Sequence, residues 1–283
     1  MQIETLGVVG AGTMGNGIAQ TAATAGLNVI MIDLHDQALE SGMATLTGSL
    51  ERLVSKGKLG ATARDDALSR IHTSTDYQRL ADVDVVVEAA TENYELKIRI
   101  LRQIEAVVRH DAIIASNTSS ISITALGATM ATPSRFIGMH FFNPVPLLPL
   151  VEIIRGLQTS TDTAEAVCDL TVRLDKSPID VRNSPGFVVN RILVPMINEA
   201  FFVLAEGVGT AEEIDIGMRL GANHPLGPLA LADLIGLDVC LSVLDVLFND
   251  FRDSKYRAAP LLREYVTAGR LGRKTRRGVY QYG

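Results

Sequence analysis

Thirteen residues near the start of the chain, VVGAGTMGNGIAQ (8–20), restrict its fold more than any other stretch. They set Gly10, Gly12 and Gly15 in G-x-G-x-x-G spacing, directly after the strand-like run LGVVG (6–10) and at the opening of a helical run. A second apolar run, LNVIMID (27–33), ends in Asp33, 18 residues after Gly15. Glycines so spaced often do no more than make a tight turn. Between a strand and a helix each has its own task. Gly10 permits the sharp turn, Gly12 lets backbone N–H groups approach a pyrophosphate, and Gly15 lets helix and strand pack closely. The helix N-terminus then favours the anion. This arrangement predicts a bound dinucleotide. Asp33 selects among dinucleotides, because a carboxylate at the end of the second strand accepts hydrogen bonds from ribose hydroxyls and repels a 2′-phosphate. NAD is expected over NADP; a helix N-cap in DLHD is the other use of Asp33.

Further apolar runs follow at VDVVVEAA (83–90), AIIASN (112–117), FIGMHFF (136–142) and LVEII (150–154). Helical periods lie between several of them; in ELKIRILRQIEAVVR (95–109), Leu101, Ile104 and Val108 recur on one face. Strand and helix alternating in this way predict an α/β fold: a doubly wound, mostly parallel, Rossmann-type sheet. The texture changes at NSPGF (183–187), a turn signal, after which the chain reads as helical almost to its end. FVVNRILVPMINEAFFVLAEG (187–207) is apolar on nearly every side, so a helix buried among neighbours is expected, kinked or broken at Pro195. The reading gives two domains, 1–184 and an all-helical 185–283.

A net charge of −6 gives neither nucleic acid nor an anionic membrane an electrostatic reason to bind. The longest uncharged run, Ala112 to Ser134, is too rich in Ser, Thr and Asn for lipid. The opening MQIETLGVVG lacks a basic region followed by an apolar one, so no secretory leader is expected. Cys168 and Cys240 lie far apart without metal-ligand spacing, which suits reduced thiols in the cytosol; no metal site is expected.

HFFNPVPLLPLVE (140–152) puts a histidine and a glutamate at the two ends of a stiff apolar segment. Doubling back of that segment would bring Glu152 to His140. Histidine takes and returns a proton near neutral pH, and a carboxylate on one ring nitrogen fixes the tautomer and stabilises the imidazolium. Oxidation of an alcohol needs such a pair, since the hydroxyl proton must go somewhere as hydride leaves. A lone histidine is more often structural. SNTSS (116–120) either caps the helix that follows or places hydroxyl and amide groups beside a ligand, and Asn190 in SPGFVVNR either satisfies a buried helix or donates to substrate.

VVGAGTMGNGIAQ, EAATEN, ASNTSS, GMHFFNPVP, SPGFVVNR, NHPLGPLALADLIGLD and GRKT stand here in the order found in the 3-hydroxyacyl-CoA dehydrogenases. The resemblance runs from about residue 3 to the end and is strongest to the bacterial single-function members acting on 3-hydroxybutyryl-CoA. It implies an NAD-dependent oxidation of (S)-3-hydroxyacyl-CoA, with substrate in a cleft between the two domains. It implies that His140 is the catalytic base, Glu152 its acid partner, Ser119 a contact of the 3-oxygen and nicotinamide side, and Asn190 a residue near the acyl group. The implied NAD contacts are Gly10, Ala11, Gly12, Thr13, Met14, Gly15, Asp33, Glu92, Lys97, Asn117, Ser119, Asn143 and Lys274. Ser49 and Lys56 match positions touching coenzyme A.

Two departures stand out. Leu148 and Pro149 replace a Met-Lys pair common in the family, and Arg276 occupies a position often held by glycine, which places the turn after Lys274 in question. Nine basic residues between Arg252 and Arg277, against two acidic ones, read as a solvated face or as help in attracting coenzyme A phosphates. The apolar surface of 187–207 and of the helix carrying Leu241, Leu244 and Phe248 predicts a homodimer through the helical domain. Phe141 and Phe142 are expected to line an apolar substrate pocket. A dehydrogenase of free hydroxy acids or sugar acids, and a non-catalytic NAD-binding redox sensor, are the competing readings.

Overall fold

The computed structural model describes residues 2–283, in two compact units, the first ending at Asn183 and the second spanning Ser184–Gly283. In the first, β1 (Thr5–Val9), α1 (Thr13–Thr24), β2 (Asn28–Ile32), α2 (Asp36–Ser55), α3 (Ala61–Ser69), β3 (Ile71–Ser74), β4 (Val85–Glu88), α4 (Tyr94–Glu105) and β5 (Ile113–Ser116) come in turn. Then follow α5 (Ile123–Gly127), β6 (Phe136–Phe141), β7 (Leu150–Arg155), α6 (Thr161–Arg173) and β8 (Ser177–Arg182). Among the described residues the strands form one eight-stranded sheet in the order β3-β2-β1-β4-β5-β6-β7-β8. All neighbours are parallel except β6 and β7.

The interior strands are buried on both faces, which is why β4 and β5 read as unbroken apolar runs. The two edge strands break that rule. β3 (IHTS) and β8 (SPIDVR) are partly exposed, β8 also carrying Pro and charge, and neither gives an apolar run in the sequence. β1 sits beside β2 on one side and β4 on the other, so the chain order reverses there, and a crevice opens at the carboxyl ends of these strands. Asp84, just before β4, accepts the N–H groups of Glu4 and Thr5 and pairs with Arg109 at 2.7 Å. Burial alone would raise its carboxyl, but those donors outweigh it and hold it below the usual range. One main core packs Leu6, Val8, Ile18, Val29, Val87, Ile137, Met139 and Phe141 beneath the helices.

The second unit is helical: α7 (Val189–Ala205), α8 (Ala211–Gly221), α9 (Pro228–Ile235), α10 (Leu237–Phe251) and α11 (Pro260–Thr267). α7 runs through Pro195 as one helix rather than breaking there. The missing N–H costs the Arg191 carbonyl a partner, and packing of Val194, Ile197 and Phe201 in the core carries the helix past it. Nor is α7 enclosed all round, since Ile192 is 67% exposed. On α10, Leu244 faces the unit's own core while Phe248 is 39% exposed. Asp215 accepts the N–H groups of Leu229 and Ala230 at the start of α9. Asp233 accepts from Val279, Tyr280 and the Tyr282 hydroxyl, which fastens the C-terminal segment; burial and Asp233 push the Tyr282 phenol up to about 12. Most of the basic cluster is likewise engaged: Lys255 with Asp253, Arg263 with Asp245, and Arg257 and Arg273 over the rings of Phe202 and Tyr282.

Arg276 keeps the turn after Lys274, in a left-handed conformation at φ 55°. A side chain there costs about 1–2 kcal/mol. Arg276→Gly relieves that strain but loosens the unfolded chain, so a net gain of about 0.5 kcal/mol is expected. A lower urea midpoint in the variant would show that the turn carries no strain. Cys240 is buried, its thiol pushed up to about 12 by burial, and Cys168 is half-buried; both are unbridged. Among the described residues no helix is long and apolar enough to cross a membrane.

Candidate active site

The glycine loop lies at the crevice between β1 and β4. Gly10 adopts φ +104°, and a Cβ there would stand 2.7 Å from Ala89 O and from Ala90 Cα. A Cβ on Gly15 would meet Gly10 O at 1.7 Å, so the helix approaches the turn closer than any side chain allows. Gly12 is different: among the described residues, its own chain neighbours aside, nothing lies within 4 Å of where its Cβ would be. Its side is open, and as N-cap of α1 it supplies no side-chain acceptor for the first-turn N–H groups, including those of Thr13 and Met14. An open approach and unsatisfied donors at a helix start are what a pyrophosphate requires. Asp33 holds the loop by accepting Ala11 N–H at 2.8 Å and Leu34 N–H at 2.7 Å; the N-cap of α2 is His35, not Asp33.

The histidine is set by strand register. β6 and β7 form the antiparallel pair, in which His140 stands directly across from Glu152. Their side chains meet at 2.7 Å, His140 Nδ1 to Glu152 Oε2, with exposures of only 7% and 0%. A carboxylate accepts, so Nδ1 carries the proton. The Phe142 ring lies 4.6 Å from the imidazole centroid. Phe141, by contrast, alternates to the opposite face and is buried in the core with Met139. It cannot line a pocket with His140. The connecting segment 142–149 is tied down by Lys176, whose Nζ donates to Val145 O at 2.7 Å and Leu148 O at 3.0 Å. Asn143 is exposed at its start, before a cis bond to Pro144.

At the ends of β4 and β5 two glutamates organise the loops. Glu92 accepts the Thr118 hydroxyl at 2.7 Å and both the N–H and hydroxyl of Ser119, at 2.6 and 3.0 Å. Asn117 Oδ1 accepts Phe141 N–H at 2.9 Å, joining the ends of β5 and β6. Below them Glu88, fully buried, pairs with Lys97 Nζ and accepts the Ser116 hydroxyl at 2.8 Å. Met14, Ala89, Ala90, Thr91, Glu92, Lys97 and Asn117 enclose a cavity of about 220 Å³. The cofactor loop, the 116–120 loop and Glu92 thus share one concavity, and Lys97 reaches it from within an ion pair.

Comparisons with known proteins identify the family. The NAD-binding-domain model of 3-hydroxyacyl-CoA dehydrogenases matches residues 5–184, and the C-terminal-domain model of the same enzymes matches 186–282. The chain belongs to the 3-hydroxyacyl-CoA dehydrogenase family. It is an NAD-dependent oxidoreductase. Among relatives of this dehydrogenase, a 3-hydroxybutyryl-CoA dehydrogenase of Bradyrhizobium diazoefficiens is 53% identical over 99% of this chain and 96% of its own. The crystal structure of (S)-3-hydroxybutyryl-CoA dehydrogenase from Ralstonia eutropha is 61% identical, with TM-score 0.97 and complete coverage of both chains. The 3-hydroxyadipyl-CoA dehydrogenase of Escherichia coli is 40% identical, this chain covering 60% of its length.

The remaining candidate residues of the dehydrogenase lie on α2, on α7 and near the C-terminus. Ser49, half-buried, and Lys56, exposed at the end of α2, lie two turns apart and so on one helix face. Asn190 is half-buried on the first turn of α7. Lys274 pairs with Asp238 at 2.6 Å. Lys97 was named only through the family resemblance, and its buried grouping with Glu88 and Ser116 was the least visible in the sequence. Its one signal is a lysine on the apolar face of α4, in line with Leu101 and Ile104. Tyr77 had none: it follows the edge strand β3, and burial together with the carboxylates of Asp33 and Glu88 raises its phenol.

Proposed function

We propose that the protein catalyses the reversible oxidation of short-chain (S)-3-hydroxyacyl-CoA thioesters, 3-hydroxybutyryl-CoA above all, to 3-oxoacyl-CoA. The observation that carries this reading is the buried His140–Glu152 pair, 2.7 Å apart. Bound NAD supplies a nicotinamide that accepts hydride from C3. The chain's own work is with the proton. His140 Nε2 takes it from the 3-hydroxyl while Glu152 holds Nδ1–H and stabilises the imidazolium; in reduction the same nitrogen returns it. Ser119, held by Glu92, contacts the 3-oxygen, and Asn190 donates to the thioester carbonyl. Ser49 and Lys56 receive coenzyme A. The names of the Bradyrhizobium and Ralstonia relatives support the substrate.

Turnover of acetoacetyl-CoA with each reduced cofactor tests the reading. NADH should serve far better than NADPH, because Asp33 opposes a 2′-phosphate. Asp33→Ser combined with Leu34→Arg should narrow the gap. No turnover with either cofactor would end the proposal, and equal kcat/KM would remove Asp33 as the selector.

The protein is further proposed to be a cytosolic homodimer joined through residues 184–283. That unit exposes Ile192, Val208, Leu220 and Leu234, between 52% and 78% each, apolar groups that a second copy of the chain would cover. Light scattering at micromolar concentration should give twice the chain mass; a monomer would reject the assignment.

A further inference from the structure

One end of the sheet carries a pair of like charges that hydride transfer does not use. β7 and β8 run parallel, and their last residues, Arg155 and Arg182, are partners in register. Neighbouring strands lie about 4.8 Å apart, so two guanidinium groups leave adjacent strands side by side. Like charges directly across a strand pair are destabilising. Among the residues lining this place the sole carboxylate is Asp180, two positions before Arg182 on the same face. Its Oδ2 meets Arg155 Nη1 at a long 3.4 Å, and its side chain is 58% exposed.

These residues surround a cavity of about 560 Å³, completed by Thr124, Gly156, Leu157, Thr159 and Asn183. Its polar wall is fixed by backbone contacts. Thr124 Oγ1 accepts Leu157 N–H, Thr159 Oγ1 accepts Gly156 N–H and donates to Phe136 O, and Asn183 Oδ1 accepts Ile123 N–H. Because β7 and β8 oppose the other strands, their carboxyl ends lie where β6 begins. The cavity is therefore at the opposite edge of the sheet from the glycine loop and Asp33.

We propose that Arg155 and Arg182 form a second anion site, for the phosphate or pyrophosphate group of a small molecule. Two planar guanidinium forks suit bidentate binding of phosphate oxygens. The volume lies within the range of about 300–1,000 Å³ usual for small-molecule sites, leaving room for an organic body beyond the anion. Asp180 opposes the ligand, so it and the arginines act with opposite signs.

Calorimetric titration of inorganic pyrophosphate and of ADP into the full-length protein, saturated with NADH at constant ionic strength, provides the test. Arg182→Gln should weaken binding about tenfold or more, the loss of charge-assisted hydrogen bonds. Asp180→Asn should tighten it severalfold, a change that damage to the fold would not produce. Tighter binding of ADP would mark a nucleotide as the source of the anion, and tighter binding of pyrophosphate the free ion; either retains the site. The proposal is overturned if neither probe binds at millimolar concentration, if Arg182→Gln leaves affinity unchanged, or if Asp180→Asn fails to tighten it.

Discussion

Replacing His140 by alanine is expected to lower kcat by roughly 10²–10⁴, the usual contribution of a positioned acid or base. The imidazole is 7% exposed and hydrogen-bonded at 2.7 Å to a carboxylate that is itself fully buried. No exposed histidine has that setting. Without the ring, the hydroxyl proton must leave to water while hydride departs, and nothing stabilises the charge that results. NADH affinity should change little, because the glycine loop and Asp33 lie on other strands; fluorescence titration of NADH separates lost chemistry from lost folding. Glu152→Gln should also be severe. An amide across from Nδ1 can present its N–H, which selects the tautomer with the proton on Nε2, and cannot stabilise the imidazolium. Near wild-type turnover in His140→Ala would remove the residue from the mechanism. Retention of both rate and pH profile in Glu152→Gln would dissolve the pair.

Which parts of this could be read in advance follows from burial. β1, β2, β4, β5 and β6 are covered on both faces and therefore appear as apolar runs. β3 and β8 sit at the edges, where half their groups meet solvent, and IHTS and SPIDVR look like loop. The reversal of β7 leaves no mark on composition, since LVEII is equally apolar in either direction. Connection length does mark it: residues 142–149 are too few for a parallel crossover, which needs a dozen or more. The same two-residue alternation that puts His140 opposite Glu152 sends Phe141 to the other face, so expecting both phenylalanines in one pocket contradicted the strand period. Gly10 and Gly15 were legible because each is required by local backbone geometry. The pairing of Lys97 is the contrary case. Its partner Glu88 is nine residues away at the end of another element, and only the fold brings the two together in a buried pair.

Acetoacetyl-CoA should be reduced far faster than free acetoacetate, with the truncated N-acetylcysteamine thioester between them. All three share the reacting carbon, so the difference must arise from the rest of the molecule. The pantetheine arm and phosphates supply remote binding energy that aligns C3 with the cofactor, and a shortened substrate loses kcat as well as affinity. Alignment alone is worth up to about 7–11 kcal/mol in favourable cases, so even a small part of it gives several decades in kcat/KM. The acyl end adds to the discrimination. Phe142 packs against the His140 ring at 4.6 Å and the imidazole is only 7% exposed, so its surroundings are largely dry. A free carboxylate brought there would lose its water without gaining a countercharge, whereas a thioester carbonyl asks only for a neutral donor, the role proposed for Asn190. Steady-state kcat/KM for the three compounds with NADH decides the matter. A ranking with the free acid first would overturn the acyl-CoA assignment and make a free hydroxy acid the substrate. Equal values for the thioester and its coenzyme A parent would instead strip Ser49 and Lys56 of their proposed role and confine specificity to the acyl end.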